Sequence, residues 1–198
     1  MSVSGADWVK QFPTSDQVND LTTTFAANVR DFLKALDDAG ATVTIAATRR
    51  PAQRAYMMHY SWMIAKGQIQ PAKVPAYVPT TDAPDPLDIQ WQHMTPDNKP
   101  DAAASKQGAV DMVNAFEISH LGVAPALNSN HITGKAIDMN ISWQGDLTIT
   151  DAMGKAVVIK TTPRDGTNAQ LIIVGGTYKV IHLLAVNKDK PHWSTNGY

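Results

Sequence analysis

The stretch SNHITGKAIDMNISW, residues 129–143, changes character at its glycine. Before Gly134 the chain is short, polar and turn-forming. After it, AIDMNI sets Asp138 among apolar residues in the manner of a strand. Gly134 permits a bend and a close approach of backbone. An aspartate with apolar neighbours is costly to bury unless it is paired or binds a cation. Two readings therefore stand for this stretch. His131 and Asp138 are either metal ligands brought together across the bend, or an exposed histidine followed by a turn-capping aspartate.

Outward from this point the pattern is mixed. Towards the N-terminus, Thr14 or Ser15 can cap a helix in which Val18, Leu21, Phe25, Val29, Phe32, Leu33 and Leu36 recur at steps of three and four, with Gly40 as its stop. ATVTIAAT (41–48) is β-branched and short, a strand. A second helix runs from Pro51 to Gly67, and a third covers about 105–119, with Val110, Val113 and Phe116 on one side. Downstream of Trp143, LTIT and KAVVIKT flank the turn DAMG, and TNAQLIIVG reads as a short helix. Helices early and antiparallel strands late give an α+β expectation: N-terminal helices packed on a small antiparallel sheet in one domain over 1–198. Residues 68–104 interrupt it. Seven of the 12 prolines lie there, without helical or strand period. A loop of that length is usually functional or disordered. Tyr77 and Trp91 within it either wall a cleft or anchor the loop.

Composition narrows the function. The chain has 198 residues, 43% of them hydrophobic, and a formal net charge of −1. That apolar share suits a folded core, and the dispersed basic residues argue against a nucleic-acid partner. No apolar run approaches the roughly 20 residues of a membrane-crossing helix, so no membrane insertion is expected. The N-terminus MSVSGADWVKQFP lacks a basic start followed by an apolar run, which leads us to expect synthesis in the cytosol without a signal peptide. With no cysteine, any metal must be held by His and Asp.

Six histidines are available: His59, His93, His120, His131, His182 and His192. HExxH is absent. His59 lies beside Tyr60 and Trp62 on the second helix, while His93 and His120 have no partner nearby in sequence. His182, in KVIHLLAV, alternates with apolar residues and reads as structural. The tail DKPHWS (189–194) is different, because Asp189 lies three residues before His192 and can face the same cavity. The single glutamate, Glu117, reads as part of a solvated helix face, which leaves Asp189 as the best-placed carboxylate base.

Together these segments resemble a known family. Ser129-Asn130-His131-Ile132-Thr133-Gly134-Lys135-Ala136-Ile137-Asp138 is similar to the SxHxxGxAxD signature of the D-alanyl-D-alanine carboxypeptidase and VanY-like zinc peptidases, which include L-alanyl-D-glutamate endopeptidases of phage. Asp189-Lys190-Pro191-His192-Trp193 resembles their [DE]xxHW segment. AATRRPAQRAYM resembles their strand–YRS–helix segment, with Arg49 as the equivalent of the signature arginine and Arg50 next. The sequence departs from the pattern here, since Thr48-Arg49-Arg50 replaces aromatic–Arg–Ser.

The resemblance implies Zn2+ on the sheet, held by His131, Asp138 and His192. It further implies Asp189 as general base and Arg49 stabilising developing negative charge or gripping a substrate carboxylate. Arg50, Ser129 and Trp193 become substrate-binding candidates, with Ser129 orienting the ligand loop. The substrate implied is a stem peptide or cross-bridge of bacterial peptidoglycan, cut as a carboxypeptidase or an endopeptidase at a D,D or L,D bond. A protein made in the cytosol would reach the wall by phage lysis or through a secretion apparatus. The competing expectation is a zinc-containing binding module without turnover.

Overall fold

The computed structural model describes residues 2–81, 83–185 and 189–198. In chain order these form β1 (Ser2–Val3), α1 (Thr23–Asp38), β2 (Thr42–Ala47), α2 (Ala52–Ala65), β3 (Ile89–Gln90), α3 (Ala102–Ala115), β4 (Ala136–Ser142), β5 (Leu147–Thr150), β6 (Ala156–Ile159), α4 (Ala169–Thr177), β7 (Ile181–His182) and β8 (His192–Ser194). The class is α+β. Apart from the two-residue parallel pair β1–β3, the strands pair antiparallel.

The chain forms two compact units. One comprises Met1–Pro13 and Pro51–Asn128, the other Thr14–Arg50 and Ser129–Tyr198. The second unit holds a four-stranded sheet in the order β2-β4-β8-β7 and the hairpin β5–β6. Its core is the stripe read from the sequence of α1, with Phe25, Val29, Phe32 and Leu36 buried against Ile137, Met139 and Ile141 of β4 and against Leu171 and Val174 of α4. Asn168 caps α4 by accepting the N–H groups of Gln170 at 2.9 Å and Leu171 at 3.3 Å.

The expected packing of the N-terminal helices on this sheet holds for α1 alone. Helices α2 and α3 lie in the first unit and pack on one another through Tyr56, Met57, Trp62, Met112 and Val113. Helix α3 begins at Ala102, earlier than expected, because Asp101 caps it by accepting the Ala104 N–H at 2.9 Å. The Pro-rich segment belongs to this unit and contributes to its core. The buried Trp91 indole donates to the Tyr56 hydroxyl at 3.1 Å, and the Tyr77 ring meets the Tyr56 ring edge-on at 5.5 Å. These two aromatics thus anchor the loop, so they do not form an open wall.

Candidate metal centre

Strand alternation supplies the first two donors. Successive side chains point to opposite faces. Since Ile137, Met139 and Ile141 enter the core, Asp138 faces away from α1. In β8 the pairing register sets Trp193 opposite Ile137 and His192 opposite Asp138. Directly opposed residues bring their Cβ atoms to about 4.5–5.5 Å, so register alone carries the His192 ring to the Asp138 carboxylate.

The third donor comes from the turn before β4. Ile132 N–H donates to Ser129 O at 3.1 Å, Gly134 N–H to His131 O at 3.2 Å and Lys135 N–H to Asn130 O at 2.8 Å. Gly134 has φ +66°, and a Cβ there would stand 3.1 Å from Asp20 O and 3.2 Å from Thr22 N. Glycine is therefore required twice, for its dihedral and for the close approach to the start of α1. The folded turn is also tied to the segment that follows β2, since the Arg50 N–H donates to His131 O at 3.1 Å.

The three side chains converge. His131 Nε2 lies 3.2 Å from Asp138 Oδ1 and 3.2 Å from His192 Nδ1, and His192 Nδ1 lies 3.2 Å from Asp138 Oδ1. A tetrahedral ion with ligand bonds of about 2.0–2.1 Å sets its donor atoms about 3.3–3.4 Å apart, so this triangle matches one face of such a shell. The far side of each ring fixes what points inward. His131 Nδ1 stands 2.6 Å from Thr48 O, and His192 Nε2 stands 3.2 Å from Tyr198 O. Main-chain oxygens only accept, so these outer nitrogens carry the protons and donate. In the neutral rings Nε2 of His131 and Nδ1 of His192 are then bare lone pairs, facing one carboxylate oxygen. Three electron-rich atoms in a largely buried site call for a cation. The group can hold a metal ion, and the outer hydrogen bonds are the kind that orient metal-binding imidazoles.

Without an ion, the same arrangement favours an ionised Asp138 and a proton on His192. Burial alone would raise the Asp138 carboxyl, but the hydrogen bonds and charges of His131 and His192 outweigh it and hold it well below the usual carboxylate range. Burial alone would lower His192, but the Asp138 carboxylate, then the Tyr198 oxygen and Asp189, push it above its ordinary value.

Around the triangle, the other expected residues separate. Asp189 is exposed as a residue, yet partial burial of its carboxyl and then repulsion by Asp138 raise its pKa, opposed by His192, His131 and Arg50. Burial lowers the Arg50 guanidinium, opposed by Asp138 and Asp189, so the charge of Arg50 reaches both site carboxylates. Its Nε is buried without a hydrogen-bond partner. Arg49 contributes its main-chain oxygen, accepting the Ser15 N–H at 2.9 Å.

Two expectations need correction. The Ser129 hydroxyl is buried and unpartnered, so the turn is held by the Ser129 carbonyl and not by its side chain. Trp193 is fully buried with its ring centroid 5.4 Å from that of Phe32, because strand alternation turns it into the core when His192 turns out. It cannot touch a substrate. His182 is structural, as read: its buried ring meets Trp193 edge-on at 4.8 Å.

Sequence reading missed Thr48 and Tyr198 as partners of the imidazoles. Both act through main-chain oxygens, which leave no residue-type signal.

No helix among the described residues is long and apolar enough to cross a membrane. The chain matches no protein-family model, and no curated protein matches it.

Proposed function

We propose that this protein is a zinc-dependent peptidase that cleaves a peptide bond in bacterial peptidoglycan. The observation that carries the metal reading is the 3.2 Å triangle of His131 Nε2, Asp138 Oδ1 and His192 Nδ1, with both outer ring nitrogens engaged by main-chain oxygens. Two imidazoles and one carboxylate, without thiolate, suit zinc in an open catalytic shell. The substrate class rests on the likeness of 129–138 and 189–193 to the zinc D-alanyl-D-alanine peptidases.

When bound, zinc would supply an acidified water and an electrophile for the scissile carbonyl. Asp189 accepts the proton from the attacking water and returns it to the leaving amine. Its raised pKa makes it a stronger base than an ordinary aspartate. Arg50, half-buried and close enough to feel both carboxylates, is the arginine we assign to the reaction, next to Arg49, the family-signature candidate. It offers fixed positive charge to the developing oxyanion or to a substrate carboxylate.

The test is digestion of purified sacculi and defined muropeptides by the zinc-loaded protein, read by mass spectrometry, since product masses name the bond. New termini at one stem-peptide or cross-bridge bond are expected. Sacculi left intact by protein carrying one zinc per chain would reject the peptidase and leave a binding module.

A further inference from the structure

We infer that the turn 194–198 is a clamp that fixes the His192 imidazole for metal binding, with Asn130 as the positioning residue that ties it to the His131 turn. The inference rests on the metal-site reading above.

The turn is built inward from a fully buried serine. Ser194 Oγ accepts the N–H of Gly197 at 2.9 Å and of Tyr198 at 3.1 Å. Gly197 takes φ +76°, and a Cβ there would meet Leu184 Cγ at 3.1 Å and His182 O at 3.2 Å. The Leu184 N–H donates to Gly197 O at 3.1 Å. The backbone is therefore held on both sides just before Tyr198, whose main-chain oxygen accepts from His192 Nε2 at 3.2 Å.

That same oxygen accepts a second hydrogen bond, from the Asn130 amide, which also donates to Asn196 Oδ1 at 2.7 Å. Asn130 immediately precedes His131, so one oxygen links the loops that carry two of the three donors. An oxygen bound to Nε2–H keeps the lone pair on Nδ1, where the ion needs it. Partners of this kind typically control metal affinity by about 10–100-fold. Tyr198 is 70% exposed as a residue and its hydrogen bonds here run through its main chain, so only that main chain is required.

This separates three variants: a chain truncated after Gly197, which loses the oxygen; Tyr198→Ala, which keeps it; and Asn130→Ala, which loses its second anchor. Zinc affinity would be measured by competition with a chromophoric chelator, the fold by circular dichroism, and the His192 tautomer by 15N correlation of the ring nitrogens. We expect truncation to weaken zinc binding about 10–100-fold and to mix the tautomers. Asn130→Ala should lie between truncation and the full chain. Tyr198→Ala should match the full chain in affinity and in its Nε2–H signature.

A truncated chain that folds and holds zinc as tightly as the full one overturns the clamp. If truncation unfolds the chain, Asn130→Ala carries the test, and unchanged affinity there overturns the clamp equally. A full chain that binds no zinc overturns the metal-site reading itself, a separate result.

Discussion

The Asp189 carboxyl sits where its surroundings make it a better base and a worse neighbour. Partial burial and the Asp138 charge raise its pKa. A carboxyl raised on folding adds stability below its unfolded pKa of about 3.9, and loses that contribution as pH rises through the higher folded value. At neutral pH, therefore, the ionised group works against the metal-free fold. Asp189→Asn should leave the thermal midpoint of the metal-free protein at pH 7 unchanged or higher, keep its zinc and abolish hydrolysis. A marked loss of stability would show that Asp189 is a structural anchor. For the arginines, Arg50→Lys should lower the rate by about 10²–10³ if the planar guanidinium stabilises charge in the transition state, with zinc content unchanged. Arg49→Lys should cost much less, and steady-state kinetics on a defined muropeptide distinguish the two.

At the scale of elements, the turn 129–135 and the strand after it were readable because their signals are local. Polar turn residues, a glycine and then apolar residues around an aspartate sit within fifteen positions. Strand β8 was readable only as a motif, because its pairing to β4 joins residues 54 apart, His192 and Asp138, and no local pattern encodes that register. The arginines are harder to read for another reason. The pairing of β2 with β4 shifts between Ile45 and Ala47, and strand alternation therefore cannot be counted forward to Arg49 and Arg50. Trp193 was misassigned because adjacency to His192 in sequence means opposite faces in a strand. Gly134 tests the local part. Gly134→Ala forces a non-glycine residue to φ +66° against backbone 3.1 Å away, and should cost about 1–3 kcal/mol in urea unfolding. Because the same turn aims His131, zinc affinity should fall as well. A substitution neutral in both measurements would mean that the turn can relax without moving the ring.

Across the whole molecule, chain order and spatial grouping diverge. The polypeptide passes between its two units at 13/14, 50/51 and 128/129, yet His131, Asp138, His192, Asp189 and Arg50 all belong to the unit formed by Thr14–Arg50 and Ser129–Tyr198. The histidine-bearing turn, β4 and β8 are each short, and two of them lie far apart in sequence, so an ion joining them should stabilise contacts that are costly to close by chain entropy. An ion that binds only the folded state contributes RT ln(1 + [L]/Kd), about 2.7 kcal/mol at a hundredfold excess over Kd. That stabilisation should be localised. Hydrogen exchange with and without zinc should show slower exchange in the 129–135 turn, at β4 and β8, and at the end of β2, where Thr48 O holds His131. The hydrogen bonds inside α2 and α3 should gain far less, because no ligand lies in their unit. Equal protection throughout the chain would instead make the two units one cooperative folding body. No protection anywhere, at saturating zinc, would remove the metal centre and the peptidase built on it.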